Sequence, residues 1–340
     1  MKIQRVDKLS SPPLEKQLSF QGLDNWMRVP NEMYGYEIHR YEAMEDGHVF
    51  GAVSLAEVKH PVFGHYLVTA PFGSYGGFAF ESLAVRDMLL DEVRRLAERL
   101  KVEYAAIRFD EGASSPPEGW VQHPVYFTYL VDLSPGAEAL LKTFSSDHRN
   151  HVRKSMKKGF SIRFGHLDLL DDVYEALARS MHELGSPYHA KAYLQKMAEQ
   201  LGDTLEFAVL YDPQGKIAGG GVFIYQGGTM FNLHANILRE VRSNYAGEFL
   251  YWSVIEHGIQ KEMKTFDLGR SLAGSGNEVF KMKWSLRKKL LAYWHWLAPG
   301  HPLPALNQKN PKFQIAIAVW KRLPAFIVRP LGPHLVRGLA

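Results

Sequence analysis

A chain of 340 residues exceeds the usual size of one domain, and with 46% hydrophobic and 22% charged residues it can bury a substantial core, so two lobes are expected. The net charge of +4 suits phosphate-bearing or anionic partners and is far too small for a protein that coats nucleic acid. The absence of cysteine excludes disulfides, thiolate nucleophiles and cysteine-based zinc sites. No stretch reaches the roughly 20 apolar residues of a membrane span. The polar start MKIQRVDKLSSPPLEK lacks the apolar region of a secretory signal, so a cytoplasmic protein is the expectation.

After a ragged lead-in to about Pro13, Leu14 to Met27 is expected to be helical. His48 to Lys59 and Tyr66 to Ala70 read as strands, followed by PFGSYGGFAF, where Gly73, Gly76 and Gly77 mark a tight backbone path. Leu83, Val85, Met88, Leu89, Val93, Leu96, Ala97 and Leu100 share one face of a helix over Ser82 to Leu100. Glu103 to Arg108 is a buried strand, EGASSPPEG a loop, and Val125 to Leu133 a strand. Ala137 to Gly159 reads as one long helix ended by Gly159. A short strand-like stretch, Ser161 to Phe164, precedes amphipathic helices over Leu169 to Leu184 and Lys191 to Leu201. An antiparallel meander then runs through Leu205 to Tyr211, Lys216 to Tyr225 and Thr229 to Ala235, linked by DPQG and QGG. Arg242 to Trp284 reads as a glycine loop, an amphipathic helix over Gly247 to Glu262, a short strand, a glycine-rich crossing and a second strand. The expected division is residues 1–136, 137–298 and a Pro-rich, basic tail at 299–340. That tail ends in FQIAIAVWKRLPAFIVRPLGPHLVRGLA. It is read as two short helices packed on the body, the other reading being a basic amphipathic segment on an anionic membrane.

Four constellations carry possible chemistry. Arg242, Tyr245, Ala246 and Gly247 stand at a helix start, whose free N–H groups attract a phosphate or an oxyanion. Acyl-CoA N-acyltransferases place an R-x-x-G-x-G/A loop there, of which this is a degenerate version; an ordinary capping loop reads the same way. In FDLGRSLAGSG, Asp267, Arg270 and Ser271 surround a strand end and suit a polar substrate or proton transfer, or merely fix the loop. Lys281 follows beside Phe280 and Trp284. Arg149, Arg153 and Lys157 fall on one helix face, which meets phosphates or only solvent. Tyr75, in a Ser-Tyr-Gly-Gly turn, accompanies Arg108 on a nearby strand. No dinucleotide fingerprint, P-loop, H-E-x-x-H or G-x-S-x-G motif occurs. The fifteen histidines are scattered, so no metal site is expected.

Together AGEFLYWSVIEHG, FDLGRSLAGSGNEVFKMKW and RNHVRKSMKKG resemble the second half of the Fem-type aminoacyltransferases and acyltransferases. FGHYLVTAPFGSYGG, EYAAIR and the terminal NPKFQIAIAVWKRLP resemble the FemAB-like branch associated with exosortase/PEP-CTERM and exopolysaccharide systems. The resemblance implies an α+β fold of two tandem GNAT-like lobes, each a mixed, largely antiparallel sheet flanked by helices. It implies transfer of an acyl or aminoacyl group from acyl-CoA or aminoacyl-tRNA, with no tightly bound cofactor, to an amine on an envelope, peptidoglycan or exopolysaccharide precursor. Asp267 is the expected base or positioning group for that amine, with Glu248 as the second choice. Arg270, Ser271 and Lys281 are expected to bind substrate, with Tyr251 and Trp284 lining the cleft. Peripheral contact with the inner membrane would come through the tail. The chain carries Trp284-Ser285 where relatives often have Trp-Gly, and it lacks a coiled-coil insertion. A non-catalytic binding protein of an envelope or exopolysaccharide assembly system is the other class of reading.

Overall fold

The computed structural model describes residues 1–10, 18–109, 115–285, 287–304 and 311–340. Parts of the expected first helix, of the loop after Arg108 and of the Pro-rich stretch lie outside them. The chain divides into two units: Met1–Tyr126 with Leu290–Leu306 and Val336–Ala340, and Phe127–Lys289 with Asn307–Leu335.

The first unit runs β1 (Lys2–Arg5), α1 (Asp24–Tyr34), β2 (Glu37–Glu45), β3 (His48–His60), β4 (Gly64–Val68), β5 (Phe78–Phe80), α2 (Leu83–Leu100), β6 (Tyr104–Arg108) and β7 (Trp120–Gln122). Helix α2 starts where the Ser82 hydroxyl accepts the Val85 N–H. It buries Val85, Leu89, Leu90, Val93, Leu96 and Ala97, as their spacing requires. It also joins β4 to β6, which pair in parallel and so need a crossover helix. The first helix is shifted from its expected place: a single turn at Phe20–Gly22 precedes α1. The reason is packing, because a Cβ on Gly22 would stand 2.3 Å from the Cα of Gly77.

The second unit continues with β8 (Tyr126–Asp132), α3 (Ala137–Thr143), α4 (Ser146–Ser155), β9 (Ser161–Gly165), α5 (Leu170–Leu184), α6 (Lys191–Leu201), β10 (Leu205–Tyr211), β11 (Ile217–Gln226) and β12 (Thr229–Ile237). Next come α7 (Ala246–Gln260), β13 (Thr265–Asp267), β14 (Ser271–Leu272), α8 (Gly276–Met282) and β15 (Lys288–Leu291). The chain closes with β16 (Tyr293–Leu297), α9 (Pro311–Trp320) and α10 (Ala325–Val336). Among the described residues no helix is long and apolar enough to cross a membrane.

Three local expectations are corrected. The long helix over Ala137 to Gly159 is two, because the backbone leaves the helical region at Phe144 and Ser145 starts a new helix by accepting the His148 N–H. The stretch around Lys281 is helical rather than a strand. Ser275 caps it by accepting the Glu278 N–H at 3.2 Å, while the Glu278 carboxylate reaches back to the Gly274 N–H at 2.6 Å. Helix α7 is not amphipathic: from Glu248 to Ile255 every residue is buried, since sheet strands cover one side and α3 and α4 the other.

Among the described residues each sheet has eight strands. The first runs β1-β2-β3-β4-β6-β16-β7 with β5 on β3, and the second β14-β8-β13-β12-β11-β10-β9 with β15 on β8. Divisions at residues 136 and 298 therefore place two strands in the wrong lobe. Strand β8 pairs with β13, and Tyr129, Val131 and Leu133 bury in the second core. Strand β16 enters the first sheet between β6 and β7, where Trp294 and Trp296 bury beside Ala105 and Ile107. The boundaries failed because strand partners are chosen by matching apolar faces, not by proximity in sequence.

Gly22→Ala is expected to destabilise the protein by about 1–3 kcal/mol, since the backbone of Gly77 cannot yield as a side chain would. Chemical denaturation with tryptophan fluorescence would measure it.

Candidate active site

Strands β12 and β13 pair in parallel only from Thr229–Thr265 to Phe231–Asp267. Strand β12 then runs on to Ile237, while the other chain turns away at Leu268, whose N–H goes to Tyr129 of β8. This parting leaves a notch, bridged by the Asn232 side chain, whose amide donates to the Leu268 carbonyl at 3.3 Å and to the Tyr251 hydroxyl at 2.9 Å. Gly269 makes the turn away possible. It has a φ of +76°, and a Cβ there would lie 2.5 Å from the Asn232 carbonyl oxygen.

The carbonyls that leave the sheet are taken up by side chains. Gly269 O accepts from the Thr128 hydroxyl at 3.1 Å and from Lys281 Nζ at 2.7 Å, and Lys281 also reaches Arg270 O at 3.2 Å. Lys281 is 3% exposed. Burial pushes its pKa from 10.5 down to about 7; Asp267 opposes that fall and Arg270 adds to it. Asp267 is 1% exposed, and its Oδ1 accepts from the Thr128 hydroxyl and from the Gly269 N–H. The carboxylate expected to serve as a base is thus enclosed, in a position to orient the loop and the Lys281 ammonium.

The short helix that carries Lys281 also brings Phe280 to an aromatic cluster. Tyr251 stacks on Trp284 with centroids 5.7 Å apart and meets Phe280 edge-on at 5.0 Å. His148 of α4 packs edge-on against Trp284 at 4.5 Å. Its pKa falls to about 4 through burial, then through Lys283 and His151. Ser271 is buried, and its Oγ has no hydrogen-bond partner among the described residues. Arg270 is half-buried at the mouth of the turn.

Helix α7 follows β12 in the chain, after a 3-10 stretch at Arg239–Asn244. Tyr245 occupies the left-handed region there, Ala246 and Gly247 form the first turn, and Glu248 is buried within it. Arg242 turns back to the Ile237 carbonyl at 3.2 Å, bracing the loop. The ring of His151 comes within 4.8 Å of Tyr245, so α4 passes this helix start. Of the basic face on α4, Arg149 donates to the Lys142 and Phe144 carbonyls and closes the end of α3, whereas Arg153 is exposed.

Tyr75 and Arg108 belong to the first unit. Arg108 donates to the carbonyls of Ala70, Gly73 and Ala340, and the N–H of Tyr75 is held by Gln21. Beyond the parallel pair of β4 and β6, the equivalent opening is thus filled by the protein's own loop and last residues. Glu37, His39 and Glu57, also in the first unit, have ligand-type atoms within 4.8 Å of one another. Glu57 there already accepts from His39, His65 and Lys59. A surface depression of about 290 Å³ lined by Arg28, Asn31, Glu37, Ile38 and Arg40 includes none of the notch residues.

Sequence reading missed Asn232, Thr128, His189 and His234. His234, on β12 past the parting, lies with its ring 6.3 Å from that of His189. Burial and then Arg270 push its pKa down to about 4, so it is a neutral imidazole at pH 7. These residues are brought together only by the sheet and by the link between α5 and α6, and no short-range spacing announces them.

Lys281→Met is expected to show an altered dependence of stability on pH. In the wild type the folded pKa, about 7, lies below the ordinary 10.5. Below pH 7 both states hold the proton and the full burial cost is present. Between pH 7 and 10.5 only the unfolded chain holds it, so wild-type stability rises relative to the variant by on the order of 5 kcal/mol. Urea titrations at several pH values would measure the difference; parallel curves would refute the shifted lysine.

Residues 146–282 match the family model of the acetyltransferase (GNAT) domain. Comparison with curated proteins found no match. Among solved structures, FemX is similar over 93% of this chain and 100% of its own, with a TM-score of 0.66 at 12% identity. A tandem GNAT protein from the clavulanic acid biosynthesis pathway, solved without AcCoA, is similar over 86% of this chain and 98% of its own (TM-score 0.54, 11% identity). L-PGS from Bacillus licheniformis is similar over 87% and 91% (TM-score 0.52, 14% identity). The fold is that of a tandem GNAT protein, two mixed and largely antiparallel sheets flanked by helices, and its second lobe matches the domain model of a family of acyltransferases.

Proposed function

We propose that this protein transfers an acyl or aminoacyl group from an activated donor to an amine, at the notch between β12 and β13. The observation that carries the reading is the parting of β12 and β13 after three paired residues, with the buried Lys281 on the Gly269 carbonyl beyond it and a helix that follows β12. An unpaired strand edge can hold the amide groups of an extended ligand by strand-like pairing. A helix start suits a phosphate. Both features fit acyl-CoA, the donor we favour, with aminoacyl-tRNA as the second donor to be tested.

The amine nitrogen attacks the donor carbonyl and forms the C–N bond. The tetrahedral intermediate then expels the thiolate of a thioester or the alkoxide of an ester, and the ammonium proton leaves to solvent or the leaving group. The Lys281 ammonium donates two hydrogens to Gly269 O and Arg270 O, which leaves a third for the oxyanion. Asp267 is assigned a positioning role, with Tyr251 and Trp284 as the cleft wall and Arg270 as an anchor for substrate anions. The acceptor proposed is an amine on a cell-envelope or exopolysaccharide precursor. This last assignment rests on the resemblance of Phe266 to Trp284 to Fem-type proteins, and both donors place the reaction in the cytoplasm.

Acetyl-CoA or a longer acyl-CoA is expected to raise the melting temperature by linkage. No shift with CoA thioesters or aminoacyl-tRNA would favour a non-catalytic binding protein. Lys281→Ala is expected to lower kcat/KM by about 10²–10³-fold, and undiminished transfer by the folded variant would remove it from the chemistry. Activity of the wild type is expected to decline above pH 7 as Lys281 loses its proton, and Lys281→Arg to lack that decline.

A further inference from the structure

Residues 299–340 contain six Lys or Arg and no Asp or Glu. The chain's net charge of +4 less these six leaves −2 on residues 1–298. The basic character of the whole protein is therefore concentrated in its tail.

The tail helices are seated on one side only. The His182 ring nitrogen lies 3.1 Å from the Trp320 carbonyl, Arg329 pairs with Glu175 of α5, and Trp320 and Val328 are buried. A Cβ on Gly332 would lie 2.8 Å from the Tyr188 carbonyl oxygen, so α10 is pressed against main chain. The other side is apolar and exposed: Ile315 is 74% and Phe326 77% accessible, with Val319 and Leu331 also outward. A solvated helix carries charged residues at such positions, and an exposed apolar patch of this kind marks an interaction surface. Lys321 and Arg322, between the two helices, are exposed and enter no ion pair among the described residues.

We propose that the outer face of α9 and α10 docks on an anionic lipid bilayer. Helices of ten and twelve residues are too short to span, so they would lie in the plane of the interface with Ile315, Val319, Phe326 and Leu331 among the acyl chains. Lys321 and Arg322 meet the anionic headgroups. A second copy of this chain fits less well. A self-complementary contact would bring cations of both copies together in a segment that has no acid to pair with them. The proposal stands apart from the acyl-transfer reading.

Co-sedimentation of the full chain with vesicles tests it. Binding is expected when roughly a third of the lipid is phosphatidylglycerol, falling with salt, and not with phosphatidylcholine alone. Ile315→Ser/Phe326→Ser is expected to weaken the partition at least about tenfold, and Lys321→Gln/Arg322→Gln about thirtyfold, with unchanged melting temperatures. Three results overturn it: no binding to the anionic vesicles, equal binding by both variants, or a concentration-dependent dimer that Phe326→Ser dissolves.

Discussion

Parallel strands cannot be joined by a tight turn, so β12 and β13 have to be bridged by a whole helix. That constraint organises the second lobe. Helix α7 makes that bridge, running from Ala246 to Gln260 between the end of β12 at Ile237 and the start of β13 at Thr265. The pairing lasts three residues on each strand before the chains part. A longer parallel ladder would close the notch, and on its other side β13 is held by β8. The helix must also lie between the sheet and two further helices, which is why its residues are apolar almost all round.

Opening a sheet leaves backbone groups without ladder partners, and buried carbonyls demand replacements. Thr128 and Lys281 supply them at Gly269 and Arg270. The same substitution puts an ammonium into the interior, where desolvation disfavours its charge and Asp267 offsets only part of that loss. The polar core of the lobe and its chemical potential thus share one origin. Removing the splay would remove the need for Lys281.

The first lobe repeats the strand–helix–strand unit with a different outcome. Beyond its parallel pair, Thr69 donates its N–H to Ala106 O and accepts the Arg108 N–H on its hydroxyl, and Gly76 donates to Arg108 O. Tyr66 donates to the Gly338 carbonyl and accepts the Ala340 N–H. The opening that one lobe presents is stitched shut in the other by its own chain. The same topology therefore serves as a candidate site in one lobe and as a scaffold in the other, and side chains rather than fold decide which.

Much of this was legible in the residues. The period-3.6 face of Ser82 to Leu100, the meander with its DPQG and QGG turns, and the short helices flanking it follow from local spacing and turn chemistry. The motif stretches pointed to the second lobe and to Lys281, Asp267 and Arg270. The Ser275-x-x-Glu278 cap was also present in the sequence, yet the aromatic and basic residues after it suggested a strand. What no local pattern contained was the exchange of β8 and β16, the burial of Lys281, and the meeting of Thr128, Asn232 and His234 with the loop after Asp267. Local propensity acts over a few residues, whereas strand partners, desolvation and hydrogen-bond satisfaction are settled between residues more than a hundred positions apart, as Thr128 and Asp267 are. Sequence by itself determined the elements and the kind of chemistry; only tertiary structure decided which carboxylate is enclosed, which lysine loses its water and which opening stays free.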